Sequence, residues 1–229
     1  LIKPYLNTMT RSEILCVMIG GMATVAGAVM IAYISFLGGT DPAQQVIFAT
    51  HLITKSVISA PAALMFAKIL VPQTEPVDTS LQVNKEKIGS NLLDAVCLGT
   101  TDGIKLAVNV GGMLIVFTAL VALVNYVLSH WLGDPLGLNP LVASLTGGAF
   151  QTFSLEFILG LLFAPFAWLM GISNDALLQS GALLGTRTVL NEFVAFINLA
   201  DLKSAGTYND PRNLMIMTYA LAGFANIVS

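Results

Sequence analysis

Leu190-Asn191-Glu192-Phe193-Val194-Ala195-Phe196 places a carboxylate inside an apolar stretch of membrane length. A charged group at the centre of a bilayer helix costs roughly 2.5–3.5 kcal/mol on insertion scales. Chains keep such a group when it binds or moves something, which makes Glu192 the leading functional candidate. A second polar interruption follows at Phe224-Ala225-Asn226-Ile227-Val228-Ser229, again at the end of an apolar run. Two polar breaks in neighbouring hydrophobic segments point to a solute path through a bilayer.

Composition agrees with that setting. The 229 residues are 55% hydrophobic and 10% charged, with a mean hydropathy of +0.80. An average soluble domain carries roughly 25% charge, so this chain belongs to the membrane class. The net charge of −3 says little, and no basic face suggests a nucleic-acid partner. Cys16 and Cys97 are too few for a disulfide framework and lack metal-ligand spacing, so both read as packing residues. HExxH, GxSxG and P-loop motifs are missing, which argues against an enzyme. The chain opens on Leu1-Ile2-Lys3-Pro4 and stops at Ser229 within an apolar segment, as expected of a fragment cut at both ends.

About 20 helical residues cross the hydrocarbon layer. Four runs qualify, at residues 13–37, 44–70, 106–132 and 176–199, and a fifth, 214–229, is cut short. Charge placement orients them. Lys3 and Arg11 put the start of the first run in the cytoplasm, and Lys68, Lys85 and Lys87 mark the next inner loop. If residues 153–172 crossed fully, Lys203 and Arg212 would fall outside. The parity therefore predicts a re-entrant hairpin folded near Ala164-Pro165, which is tolerated where backbone packs in protein or lines a cavity. Residues 91–99, of mixed polarity, predict a helix lying on the cytoplasmic face. The expected fold is an all-α, polytopic membrane protein with a re-entrant hairpin and discontinuous helices. Residues 1–70 form the first two spans, 71–132 a cytoplasmic loop, interfacial helix and third span, and 133–229 an outer loop, hairpin and broken helices.

Several side chains carry alternatives. Arg187 precedes Glu192 by five residues, about 140° around a helix, so the two face apart unless the helix is broken between them. Asn191 would satisfy backbone groups freed by such a break. Asn226 and Ser229, three apart, share a helical face that suits a polyhydroxylated solute or serves as helix–helix glue. Phe224 stacks on a ring or simply packs. The first run, with Gly20, Gly21, Ala23, Thr24, Ala26, Gly27 and Ala28, reads as a close-packing face or as a kink whose carbonyls coordinate a cation. His51 and Lys55 share a face of the second run and read as buried or interfacial polar groups, with a proton relay as the alternative. Gln73-Thr74-Glu75 follows Pro72 and reads as loop.

Met9-Thr10-Arg11-Ser12-Glu13, the run Gly20 to Gly27, Ser59-Ala60-Pro61, Asn191-Glu192-Phe193-Val194-Ala195 and Gly223-Phe224-Ala225-Asn226 resemble, in order, the concentrative nucleoside transporter family. The resemblance implies a homotrimer in the inner (plasma) membrane that imports nucleosides with an ion gradient, sodium or protons. Each protomer would combine a trimerising scaffold, including the third span, with a moving transport domain. It implies that Glu192, Asn226 and Ser229 hydrogen-bond the ribose, with Asn191 beside them and Phe224 bordering the base. A Gly-Gln-Thr-Glu hairpin that reads the base would lie before Leu1. The family's cation site maps onto the first span around Ala28, which has no hydroxyl, with Thr24 one turn earlier as the substitute.

Overall fold

The computed structural model describes residues 6, 9–76, 90–208 and 210–226. Lys3, Lys85, Lys87 and the expected ribose ligand Ser229 lie outside them. The described residues form helices and connecting turns.

Helix α1 (Arg11–Ala23) opens in a capping box. The Glu13 amide donates to the Thr10 hydroxyl at 3.3 Å, and the Thr10 amide donates to the Glu13 carboxylate at 2.8 Å. The first apolar run does not continue as one helix. Thr24 and Ala26 are extended, with ψ of 162° and 135°, and α2 (Gly27–Gly38) begins after them. The break falls where β-branched Thr24 and Val25 meet a run of Gly and Ala that offers few side-chain contacts to hold a turn.

Helix α3 (Pro42–Leu70) packs against both halves and runs unbroken through Pro61. Asp41 caps it by accepting from the Ala43 amide at 2.9 Å, with Pro42 in the first turn. Its far end is tied to α1: Lys68 donates to the Ser12 hydroxyl at 2.7 Å and to Gln73 at 3.0 Å, and Ser12 donates to the Val71 carbonyl at 2.8 Å. Gln73 thus latches the loop.

The expected interfacial helix and third span are a single rod. Helix α4 (Leu92–Tyr126) starts where Asn91 accepts from the Asp94 amide at 2.9 Å, and it continues as a π-helical segment, Val127–Gly133. Mixed polarity over residues 91–99 changes what the helix faces, not whether it continues. None of the α4 side chains is buried. Asn125 holds the rod to the next layer, donating to both Glu156 carboxylate oxygens at 3.0 and 2.9 Å and accepting from the Leu155 amide at 2.8 Å.

Beyond α5 (Leu138–Leu145), the fold-back lies elsewhere than Ala164-Pro165. Helix α6 (Leu155–Leu169) runs straight through Pro165. The chain reverses over residues 170–176, where Gly171 takes a φ of +89° that L side chains avoid, and returns as α7 (Leu177–Val189). The two helices are antiparallel and nearly touch backbone to backbone. A Cβ on Gly181 would sit 2.4 Å from the Gly160 carbonyl oxygen, and one on Gly185 would sit 2.4 Å from Leu159 Cβ. Small residues at such crossings are the usual route to tight helix pairs in lipid.

The fourth run is also discontinuous. Leu190 ends α7 and Asn191 caps α8 (Glu192–Ser204), while α9 (Pro211–Leu221) is followed by non-helical residues 222–226. Three helical stretches, Arg11–Gly38, Pro42–Leu70 and Leu92–Gly133, are long and apolar enough to cross a membrane. The core gathers Tyr33, Leu52, Leu183, Phe196, Leu199 and Met217. Tyr33 and Phe196 stack with ring centroids 3.9 Å apart and planes within 5°, which fixes α2 against α8.

Candidate functional site

Glu192 reaches its position because the helix stops just before it. Leu190 adopts φ −97°, ψ −92°, and Asn191 is extended at φ −168°, ψ 174°. The Asn191 side-chain oxygen accepts from the Val194 amide at 2.9 Å and satisfies one of the four donors at the start of α8. As the first residue of α8, Glu192 also lies at the positive end of that helix dipole. Its side chain is 6% exposed, and its Oε2 atom has no hydrogen-bond partner among the described residues. The Tyr33 hydroxyl on α2 is also buried and faces this carboxylate without closing a hydrogen bond. A polar atom left in this state costs about 1–3 kcal/mol.

The break between Arg187 and Glu192 removes the geometric reason for the two to face apart, yet Arg187 is directed elsewhere. Its guanidinium donates to the Ala220 carbonyl at 2.8 Å and the Gly223 carbonyl at 3.3 Å, both where α9 ends. Lys55 on α3 donates to the Ala23 carbonyl at the end of α1. The two cations meet at Gly223, where a Cβ would lie 3.2 Å from Arg187 Nη2, 3.3 Å from Lys55 Nζ and 2.8 Å from the Met22 carbonyl oxygen. His51, one turn before Lys55, pairs its Nδ1 with the Tyr219 hydroxyl at 3.1 Å.

A cavity of about 340 Å³ opens against this framework. Four residues singled out in the sequence share its wall: Asn191, Glu192, Phe224 and Asn226. They come from the two helix breaks. Asn226 donates to the Phe224 carbonyl at 3.4 Å. Thr24 and Ala28 do not line the cavity. The Thr24 hydroxyl turns back to the Gly20 and Gly21 carbonyls at 3.0 and 3.4 Å, and Ala28 is exposed on α2.

The opposite wall was not legible in the sequence. Val29 of α2 and Val110, Met113, Leu114 and Phe117 of α4 complete it. Residues 110, 113, 114 and 117 follow helical spacing, so one face of α4 meets the cavity. Apolar periodicity placed α4 in a membrane without saying which stripe faces a site. Tyr33 gave a weak signal as a hydroxyl inside an apolar run. The combination of one carboxylate, amide side chains and a ring within an apolar chamber suits a small solute with a hydroxylated part and a flat apolar part.

The description "Na+ dependent nucleoside transporter C-terminus" belongs to a family model that matches residues 51–229. An uncharacterized transporter of Haemophilus influenzae is 34% identical over 235 residues, covering 100% of this chain and 50% of that protein. The nucleoside permease NupC of Helicobacter pylori is 38% identical over 233 residues, with the same two shares. A structure of CNTnw in an inward-facing, substrate-bound state superposes with a TM-score of 0.68 at 33% identity, covering 99% of this chain and 48% of that one. The chain thus spans about half the length of these relatives.

Proposed function

The chain belongs to the family of Na+ dependent nucleoside transporters, and from that premise we propose that it forms the solute-binding half of a carrier. The carrier is a membrane protein that imports nucleosides across the inner (plasma) membrane by symport with a cation, sodium or protons. One observation carries the reading: Glu192 is buried beside a cavity with a carboxylate oxygen that has no partner among the described residues. A ribose hydroxyl satisfies that oxygen. A site built to pair such groups discriminates strongly against an analogue that lacks them.

In this reading Glu192 accepts from ribose hydroxyls, Asn226 and Ser229 complete the ribose contacts, and Asn191 fixes the helix start that presents the carboxylate. Phe224 borders the base. The apolar residues Val110, Met113, Leu114 and Phe117 of α4 close the chamber without competing for hydrogen bonds. Helix α4, with no buried side chain, belongs to a scaffold that meets its own copies in a trimer. The helices around the hairpin α6–α7 and the broken segments move against that scaffold.

Uptake of radiolabelled uridine by cells expressing the full-length protein tests the proposal. Competition by unlabelled nucleosides and weak competition by 2′,3′-dideoxyuridine are expected. Uptake that ignores free nucleosides but responds to another polar solute would reassign the site.

A further inference from the structure

Lys55 stands in the interior of α3, a 29-residue helix of membrane length. An ammonium group there is retained only with partners. Its partner is the carbonyl oxygen of Ala23, the last residue of α1. The last four carbonyls of a helix have no donor within it and carry the negative end of its dipole. At a broken membrane helix, such carbonyls are the oxygen set that a hard monovalent cation takes. Here the positive charge at that position is attached to the chain.

The surroundings leave little for a free ion. The Thr24 hydroxyl is hydrogen-bonded to Gly20 and Gly21 carbonyls within α1, and Ala28 brings no side-chain oxygen. On the far side Gly223 closes the junction, with the Met22 carbonyl, Lys55 Nζ and Arg187 Nη2 all close to where a Cβ would stand. Arg187 neutralises the carbonyl end of α9 in the same way. A sodium ion entering there would face two fixed positive charges at short range, and that repulsion grows as water is excluded.

We propose that Lys55 is a tethered cation that takes the place of a sodium ion at the carbonyl end of α1, so that solute movement by this protein does not require sodium. The inference rests on the carrier reading and specifies its ion dependence.

Uridine uptake by the full-length protein, measured at fixed pH with sodium or choline outside, is expected to proceed at equal initial rates. Loss of uptake in choline overturns the inference. Lys55→Ala leaves the Ala23 carbonyl without its charged donor and should lower sodium-free uptake about tenfold, with sodium restoring part of it and Lys55→Arg keeping most of it. Sodium-free uptake that survives unchanged in Lys55→Ala overturns the inference as well. Thermal unfolding of the purified protein reads the same site without flux. The wild-type midpoint should be the same in sodium and choline, whereas a midpoint raised by sodium rejects the tethered cation. If no uridine enters in either medium, the nucleoside reading fails, and the melting comparison still decides the ion.

Discussion

Two sets of helix ends lie at or beside one cavity and treat charge in opposite ways. Where α7 gives way to α8, Glu192 is buried with a carboxylate oxygen that no described residue satisfies. Where α1 and α9 end, Lys55 and Arg187 donate to the carbonyls of Ala23, Ala220 and Gly223. Both regions place ionisable groups among apolar helices, so cost alone does not separate a binding group from a structural one. Satisfaction does. A charge already paired with backbone holds the break in shape, and a charge left with an open valence is available to a ligand.

The comparison breaks most sharply at Glu192. Glu192→Gln keeps the size of the side chain and removes the charge that a ribose hydroxyl would meet. Hydrogen bonds to charged groups are worth about 1.5–3 kcal/mol, so uridine uptake should fall about 10- to 100-fold. Folding should suffer little, because Oε2 has no partner among the described residues and burying the charge is itself costly, which offsets its favourable place at the start of α8, and the thermal midpoint should hold or rise. Wild-type uptake in this variant would mean that the open valence has no use.

The paired side should respond in the reverse order. Arg187→Met strands the carbonyls of Ala220 and Gly223 and should cost about 1–3 kcal/mol of stability, read as a lower midpoint and less protein in the membrane. Gly223→Ala should act in the same direction, since its Cβ would stand 2.8 Å from the Met22 carbonyl oxygen. A stable Arg187→Met protein that binds uridine poorly would assign Arg187 to the solute and erase the distinction.

The sequence disclosed the polar half of this arrangement and hid the apolar half. Glu192, Asn191 and Asn226 stood out because polar groups are rare in such runs, Phe224 entered through the family resemblance, and the cavity gathers all four. The fold-back was misplaced because Pro165 reads as a helix breaker, although α6 tolerates it. Membrane helices accept proline where neighbours satisfy the freed backbone. The real reversal lies at Gly171, one of many glycines, and its positive φ, shared with glycines of other turns, shows only in the structure. Residues 91–99 looked like a separate helix because their polarity differs from that of the span, but a change in polarity does not end a helix that Asn91 has capped. Val110, Met113, Leu114 and Phe117 carry no mark that separates them from other apolar residues of α4. Their role depends on which face packs toward Glu192.

A smaller effect sharpens the boundary between presenting and binding. Asn191→Ala removes the cap of α8 and should cost about 1 kcal/mol. Because the cap sets where Glu192 begins its helix, the loss should appear in uridine affinity as well as in the midpoint. Asn191→Ser, which keeps a capping oxygen, should restore both. Restored stability without restored affinity would make Asn191 a direct solute contact.

Tyr33 provides the finest test, because it belongs to both sides. Its ring is structural, stacked on Phe196, while its buried hydroxyl faces Glu192 without closing a hydrogen bond. Tyr33→Phe keeps the stack and deletes only the hydroxyl. If that hydroxyl served folding, the variant would lose stability. An unsatisfied buried hydroxyl instead opposes folding, so the midpoint should stay level or rise by the equivalent of about 1 kcal/mol. Uridine affinity should fall, by less than in Glu192→Gln, because the hydroxyl can donate to the carboxylate or to the solute once the cavity is filled but carries no charge. A variant that is more stable and binds less tightly would place Tyr33 with Glu192 on the open side of the site. Reduced stability with unchanged affinity would place it with Lys55 and Arg187.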